Sequence, residues 1–173
     1  MNNVNANIFK LDELENPGIT SQGERWSFIT DGVMGGLSSG QAIITESKDI
    51  PCYQMTGNVT TENNGGFIQI RARMNPLVNT NKHKGIYIKV YGNNQKYSLF
   101  VRTDFTMTPR QYYSYDFIAK DEWIEIKAPF INFKKSNFYE PQKLFNQNIK
   151  SIGLVAAFDN FYADICLAEI GFY

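Results

Sequence analysis

The sequence has very few of the side chains on which most catalytic and metal sites depend. It contains one histidine in 173 residues, His83, which lies among lysines in the run Asn81-Lys82-His83-Lys84. This setting is typical of an exposed turn. Ser-His-Asp and Cys-His catalysis both need a histidine, and a zinc site needs several His or Cys ligands. The composition therefore argues against both chemistries.

Cysteine is almost as scarce. Cys52 and Cys166 are the only two, and neither belongs to a C-x-x-C motif of the kind that binds metals or carries out redox chemistry. The pattern favours two buried free thiols, because isolated cysteines usually behave as small apolar side chains. A disulfide between them is the alternative that the sequence leaves open.

Net charge and long apolar runs are also absent. Seventeen basic residues balance seventeen acidic ones, so no overall field attracts nucleic acid or an anionic membrane. No run is long and apolar enough to span a bilayer, and residues 1–18 lack the pattern of a signal or transit peptide. The sequence therefore predicts a cytoplasmic protein that does not bind nucleic acid and has no integral membrane segment.

The acidic residues show no catalytic pattern either. They are scattered along the chain, whereas glycoside hydrolysis needs two carboxyl groups held across one bond. The glycine-rich run at residues 34–40 lacks the lysine of a phosphate-binding loop. We therefore predict a protein that is not an enzyme, with no cofactor. A structural calcium ion stays open, because Asp, Asn and backbone oxygens are plentiful, although no calcium-loop signature is present.

Aromatic residues and short alternating strands are what the sequence has in abundance. It contains thirteen Phe and ten Tyr, which favour β-structure. From residue 67 to 74, apolar residues at even positions alternate with Phe67, Gln69, Arg71 and Arg73, as in a half-buried strand. Similar strands are predicted near residues 39–45, 53–59, 86–91, 97–102, 112–119, 123–127, 149–158 and 163–172. Short helical turns are expected at residues 11–15 and 141–145.

Many short strands separated by Gly, Asn and Pro predict an all-β fold. We expect an antiparallel β-sandwich of the jelly-roll type, formed by residues 1–173 as a single domain. Strands 86–90 and 97–101 flank Gly92-Asn93-Asn94, which predicts a hairpin.

That hairpin and the strand at residues 67–74 would gather one set of outward side chains on a shared face. Arginine forks and aromatic rings together suit sugars, carboxylates or the backbone of a partner protein. The alternative is structural, with the arginines bonding loop carbonyls. The candidate ligand- or partner-binding residues are Arg71, Arg73, Tyr87, Tyr91, Phe100 and Arg102.

Two glycine-rich loops are the most informative local feature. Asp31-Gly-Val-Met-Gly-Gly precedes Ser38, and Asn63-Asn-Gly-Gly-Phe67 follows later in the chain. Asp31 is expected to anchor its loop through backbone amides or to pair with an arginine. Met34 is expected to plug one end of a sheet rather than contact a partner. With Trp26, the structural loop motif comprises Asp31, Met34, Gly35, Gly36, Ser38, Asn64, Gly65, Gly66 and Phe67.

In their order and spacing these motifs resemble the complex I intermediate-associated protein family. The resemblance continues through Arg71, Gly92, Tyr97 and Arg102 to a Trp-then-Pro-Phe segment at Trp123, Pro129-Phe130 and Phe133. The chain departs from the family pattern where Asn93-Asn94 replaces an Asp-Gly pair and where a glycine is missing from residues 134–137. A compact chain of this kind looks like a bacterial member.

The resemblance implies a fold and a function. The fold is a galactose-binding-like jelly roll, similar to carbohydrate-binding modules. Mitochondrial members of the family help to assemble respiratory complex I. We therefore expect a protein-binding domain that acts as an assembly or chaperone-like factor, with respiratory-complex subunits or assembly intermediates as partners. The alternative is a carbohydrate-binding module that uses the Arg/Tyr-lined sheet face.

Overall fold

The computed structural model describes residues 7–173, in which alternating apolar side chains form strands that pair into two antiparallel sheets. Twelve strands lie within these residues, and their bounds are β1 (Phe9–Asp12), β2 (Ser27–Thr30), β3 (Ser39–Ser47), β4 (Ile50–Val59), β5 (Phe67–Asn79), β6 (Gly85–Tyr91), β7 (Gln95–Thr103), β8 (Tyr113–Ala119), β9 (Ile124–Pro129), β10 (Lys134–Lys135), β11 (Asn148–Ala157) and β12 (Phe161–Phe172).

The two sheets form a β-sandwich. The first sheet has the order β3-β4-β12-β6-β9, with β1 also paired to β12, and the second has the order β10-β8-β7-β11-β5-β2. Sequential strands often lie in different sheets, as in a jelly roll. The predicted all-β jelly-roll sandwich is therefore confirmed.

The core lies between the sheets and follows the alternation read from the sequence. Ile70 on β5 and Leu99 on β7 point inward from the second sheet, and Ile88 on β6 and Ile165 on β12 point inward from the first. Each of these four side chains is at most 2% exposed. Burying one such side chain contributes about 1.5–3 kcal/mol. The opposite face of β5 and β7 is thereby left for residues that do not belong to this core.

The predicted hairpin between β6 and β7 is wrong, because these strands lie in different sheets. β6 pairs with β12 and β9, while β7 pairs with β8 and β11. The connecting backbone is held elsewhere: the amides of Gly92 and Asn94 donate to the carbonyls of Lys120 and Ala119. Both strands turn an apolar face to the same core from opposite sides, and alternation does not distinguish this arrangement from pairing.

Several short elements also differ from the expectation. Leu11 lies in β1 and residues 141–145 contain no helix, so neither predicted helical turn forms. The helical elements among residues 7–173 are brief 3-10 turns at Asp31–Met34, Glu62–Asn64, Thr80–Lys82 and Phe130–Asn132. Strands β1, β2 and β10 were not predicted, because two to four residues give too little alternation to recognise.

The two cysteines are joined in a disulfide, so the expectation of free thiols is wrong. Cys52 on β4 and Cys166 on β12 are both buried, and their Cα atoms lie 5.4 Å apart, within the range for a disulfide. β4 and β12 are paired strands, with Gln54 opposite Cys166. The bridge therefore links neighbours inside the first sheet.

Reduction of the disulfide is expected to lower the free energy of unfolding by about 2–4 kcal/mol, because the bridge restricts the unfolded chain. Urea denaturation with and without a phosphine reductant measures the difference. The Cys52→Ser, Cys166→Ser double variant is the control, since its stability should not respond to reductant. Two titratable thiols in the unreduced wild-type protein would contradict the pairing.

His83 also differs from the prediction, which placed it in an exposed turn. It is half-buried against the ring of Phe172, with 5.3 Å between ring centroids. Burial lowers the pKa of His83 below its ordinary value of 6.5, a backbone hydrogen bond at Asn7 raises it, and the charge of Lys82 lowers it further. The net effect is a lowered pKa, so protonation disfavours the folded state.

Stability should therefore fall as the pH drops through about 6.5, because the unfolded chain binds a proton on His83 at a higher pH than the folded chain does. Thermal melting between pH 8 and pH 5 of the wild-type protein and of His83→Gln tests this. The wild-type melting temperature should decrease more than that of the variant over this range. Parallel decreases in the two proteins would show that His83 makes no contribution.

Candidate functional site

The outer face of the second sheet carries the candidate site, and we call it the open face. Strand register arranges its side chains in rows across β5, β11 and β7. Arg73 and Arg102 both lie opposite Ser151, and in the next row Arg71 and Phe100 both lie opposite Gly153. Gly153 has no side chain, and the side-chain oxygen of Gln69 lies close to where its Cβ would be, so this oxygen forms the bottom of a shallow trough between Arg71 and Phe100.

Loops at the edges of the open face deepen this trough into a cleft of about 920 Å³. One side is formed by the first glycine loop and β2, and the other by the loop that precedes β8. The floor consists of open-face side chains. The cleft is lined by Ile29, Val33, Met34, Asn64, Phe67, Gln69, Arg71, Phe100, Arg102, Thr108, Pro109, Arg110, Tyr112 and Phe158. It is therefore mainly apolar, with arginines and amides at a few points.

Aromatic side chains form one wall of the cleft. The rings of Phe100 and Tyr112 stack with 3.9 Å between centroids and an angle of 10°. The ring centroids of Phe158 and Phe100 lie 6.1 Å apart. The guanidinium carbon of Arg102 lies 5.8 Å from the ring centroid of Tyr112. These contacts give a rigid surface on which an apolar side chain or a sugar ring can stack.

Arg102 is the most deeply buried charged group of the site, and its hydrogen bonding is incomplete. Its side chain is 9% exposed, and its Nη2 donates to the carbonyl of Pro109 at 2.8 Å. Its Nε and Nη1 are buried and have no hydrogen-bond partner within residues 7–173. The structural interpretation, in which Arg102 bonds a loop carbonyl, therefore accounts for only one of its three nitrogen atoms.

Burial and a neighbouring positive charge act on both Arg71 and Arg102. Burial lowers the pKa of Arg102 most, and the charge of Arg71 lowers it further. Burial also lowers the pKa of Arg71, followed by the charge of Arg73. Both guanidinium groups stay protonated at neutral pH, because an arginine side chain loses its proton only in strongly basic solution. The site thus gathers positive charge in a partly desolvated place.

The two glycine loops meet at the carboxylate of Asp31, which is completely buried. Its Oδ1 accepts from the amide of Ser38 at 3.0 Å, and its Oδ2 accepts from the amides of Gly66 at 2.6 Å and Phe67 at 3.3 Å. A Cβ atom at Gly36 would overlap this carboxylate. Of the two roles expected for Asp31, the structure shows the anchoring of backbone amides.

The loop motif residues are divided between the cleft and its support. Gly35 ends the first 3-10 turn with φ of 82°, and the Ser38 hydroxyl donates to the carbonyl of Thr60 at 3.2 Å. Met34 is 51% exposed and lines the cleft with Asn64 and Phe67. The expectation that Met34 plugs a sheet end is therefore wrong.

Trp26 lies away from the cleft and belongs to a second polar centre. Its indole Nε1 donates to Oδ2 of Asp12 at 2.6 Å, and the same oxygen accepts from the hydroxyl of Tyr53 at 2.7 Å. The Tyr53 hydroxyl in turn accepts from the amide of Gly18 at 2.9 Å. Trp26 thus ties the segment before β2 to the first sheet.

Two of the predicted binding residues do not join the others. Tyr87 and Tyr91 lie on β6 in the first sheet, where Tyr91 packs edge-on against Trp123 with centroids 5.7 Å apart. They were grouped with the arginines because β6 was expected to pair with β7. Arg71, Arg73, Phe100 and Arg102 do share one face, as the alternation predicted.

The sequence interpretation missed several cleft residues in the loops. Tyr112 and Phe158 each lie just outside a strand end, and Pro109 and Arg110 lie in the loop before β8. The one available signal was that Tyr112 and Phe158 were included at the ends of predicted strands. Alternation cannot show that a loop folds over a sheet face.

The family follows from a match along most of the chain. Residues 16–168 match the sequence model of complex I intermediate-associated protein 30 (CIA30). The chain belongs to the CIA30 family. This range includes both glycine loops, Asp31 and all the residues that line the cleft. No curated protein matches the chain at a significant level.

Solved structures share the fold of this CIA30 domain. A family 11 carbohydrate-binding module of the cellulosomal cellulase Lic26A-Cel5E of Clostridium thermocellum has 16% identity and a TM-score of 0.75, covering 95% of this chain and 93% of its own. The module bound to a β-1,3-1,4-mixed-linked tetrasaccharide has 16% identity and a TM-score of 0.73, covering 95% and 94%. A family 30 carbohydrate-binding module has 8% identity and a TM-score of 0.54, covering 79% and 91%.

Two further findings concern membrane-spanning helices and metal sites. No helix within residues 7–173 is long and apolar enough to cross a membrane. In the same range, no three His, Cys, Asp or Glu side chains gather in a geometry that could hold a metal ion.

Asp31→Ala is expected to lower the free energy of unfolding of this CIA30 domain by about 2–4 kcal/mol, because three backbone amides lose a charged acceptor. Urea denaturation of wild-type protein and variant measures the loss. Glu122→Ala, a change of an exposed acid in the loop before β9, is the control and should cost less than about 0.5 kcal/mol. A similar small loss in both variants would show that Asp31 does not hold the loops.

Proposed function

We propose that the chain is a non-enzymatic binding domain, with residues 1–173 as one unit, and that its cleft holds a segment of a partner protein. The observation that carries this proposal is a large, mainly apolar cleft that contains a buried arginine, two of whose nitrogen atoms have no hydrogen-bond partner among residues 7–173. Ligand sites are typically concave and apolar, with a few polar groups that fix orientation.

The rim of the cleft supports a protein partner. Val33 is 75% exposed, Met34 is 51% exposed and Phe158 is 64% exposed, and all three border the same cavity. Contiguous exposed apolar side chains mark interaction surfaces, and methionine adapts its shape to irregular partners. Membership of the CIA30 family supports an assembly or chaperone-like role with subunits or intermediates of respiratory complex I as the partners.

A carbohydrate is the second candidate for the same cleft. The neighbouring folds are carbohydrate-binding modules, and the stacked pair Phe100 and Tyr112 offers a flat surface for a sugar ring. Sugar hydroxyls also need many hydrogen-bonding groups, however, and the walls beside Met34, Phe67 and Phe158 offer few. This apolar character is the reason for preferring a protein segment.

The cellular location of the chain, and its origin as a bacterial member, stay predictions. A cytoplasmic location was expected from residues 1–18. The Cys52–Cys166 disulfide instead favours an oxidising compartment, since stable disulfides occur mainly in such compartments. Fractionation of the source cells decides between the cytoplasm and an oxidising compartment.

Affinity capture of the tagged protein from its own cells, followed by mass spectrometry, tests the function. Wild-type protein should enrich respiratory-complex subunits or assembly intermediates, and the Arg71→Ala, Arg102→Ala double variant should lose them, because the arginines lie at the floor of the cleft. Arg25→Ala is the matched control: it removes an exposed arginine outside the cleft and should retain the partners.

The capture experiment has two contradicting outcomes. Equal enrichment by wild-type protein and the double variant would place the interaction outside the cleft. Absence of enriched protein, together with specific binding on a glycan array that the double variant loses, would favour the carbohydrate function. Cooperative melting of each variant is checked first, so that loss of binding is not confused with unfolding.

A further inference from the structure

We propose that the partner segment presents a carboxylate next to an apolar side chain, and that Arg71 and Arg102 bind the carboxylate while the aromatic wall of the cleft takes the apolar side chain. This inference rests on the proposed function and specifies the chemistry of the occupant.

The cleft continues into a second cavity, and the two arginines lie where they join. The second cavity has a volume of about 470 Å³ and runs along the open face towards the start of β11. Arg71 and Arg102 line both cavities, whereas the aromatic residues line only the first. Arg73 and Lys150 line the second cavity together with these two arginines. One end of the combined groove is apolar and the other is basic.

The acidic residues near the basic end do not neutralise it. Four basic residues line the second cavity against one acid, Glu24, whose Oε1 accepts from the Asn75 side chain at 3.3 Å. Within residues 7–173 the ion pair at or below 4.0 Å is Lys10 with Glu13, outside both cavities. The arginines therefore have no carboxylate partner in the described part of the chain.

Glu140 is an acid whose charge acts on Arg102. It is buried, and its Oε1 accepts from the hydroxyl of Ser136 at 2.8 Å, while its Oε2 has no hydrogen-bond partner within residues 7–173. Its charge raises the pKa of Arg102, an effect smaller than those of burial and Arg71. It forms no ion pair with Arg102, so it leaves the Nε and Nη1 donors of Arg102 free.

A carboxylate would accept from Arg71 and from one of the free donors of Arg102. A guanidinium group binds a carboxylate through two parallel N–H···O bonds, which are stronger than bonds between neutral groups. In Arg102 the parallel pair needs Nη2 together with Nε or Nη1, so a carboxylate would use one unpaired nitrogen and the second hydrogen of Nη2 after a shift of this buried side chain. Leaving buried donors unpaired is unfavourable, and this contact removes part of that penalty on binding. The positive charge of Arg71 nearby adds to the attraction for an anion and disfavours a cation.

The register sets the distance between the two recognition elements. Arg71 on β5 and Phe100 on β7 are separated by one strand, β11, so their Cα atoms lie about 10 Å apart at ordinary strand spacing. An extended peptide advances about 3.3 Å per residue. The carboxylate and the apolar side chain should therefore lie within about three residues of each other in the partner.

Random peptide libraries displayed on phage test this chemistry. One library places 12-residue peptides internally, and the other ends each peptide in a free C-terminus, so the two distinguish a side-chain carboxylate from a terminal one. Both are selected on the full-length wild-type protein and counter-selected on the Arg71→Gln variant. Arg71 makes no side-chain hydrogen bond within residues 7–173, so this change should leave the fold intact, as thermal melting verifies.

Enriched peptides should carry Asp or Glu, or a free C-terminal carboxylate, within about three residues of an aromatic or large aliphatic residue. Synthetic versions should bind the wild-type protein and Arg25→Gln equally. Binding should fall about tenfold or more in Arg71→Gln and in Arg102→Gln, and also when Asp or Glu in the peptide is replaced by Asn or Gln. Arg102→Lys, which keeps the charge but not the fork, should show a partial loss.

Three outcomes would overturn the inference. Enriched peptides without an acidic preference would refute the carboxylate site while leaving the protein-binding function standing. Binding of uronate-containing oligosaccharides on a glycan array, with no peptide enriched, would refute both the inference and the proposed function. No enrichment in either library and no glycan binding would refute the inference, and affinity capture would then decide the function independently.

Discussion

The buried carboxylate of Asp31 is the interaction on which the shape of the site depends. It accepts backbone amides from both glycine loops, one before β3 and one leading into β5. Those loops carry Met34 and Asn64 to the cleft, and Phe67 follows directly. Glycine is needed beside the carboxylate because a Cβ atom at Gly36 or Gly65 would occupy the same space. One acidic side chain thus fixes the position of one wall of the cleft.

Arg102 differs from Asp31, because the fold leaves its guanidinium group without a full set of hydrogen-bond partners. Asp31 has backbone donors for both of its oxygens, whereas Arg102 keeps two buried nitrogen atoms without partners within residues 7–173. Burying a charge without partners is unfavourable for stability. A stabilising partner could have come from a nearby acid, and Glu140 does not form that ion pair. The arrangement is better explained by binding than by folding.

Sequence patterns predicted the sandwich, most strands and the inner and outer faces of β5 and β7, because alternation directly reports which side chains are buried. They also placed Arg71, Arg73, Phe100 and Arg102 on one face. They failed for Tyr87 and Tyr91, since alternation does not specify the sheet to which a strand belongs. They also failed for Tyr112 and Phe158, which reach the cleft only because loops fold over the open face. The Cys52–Cys166 pairing likewise depends on β4 lying beside β12, a contact between distant parts of the chain.

The central claim is that partners bind in the cleft on the open face and not on the first sheet. Photocrosslinking in the source cells tests it directly, with benzoylphenylalanine placed at Phe158 in the cleft or at Ile44 on the first sheet, positions that are 64% and 54% exposed. The account predicts a discrete crosslinked protein adduct from position 158 and none from position 44. An adduct from position 44 alone would contradict it.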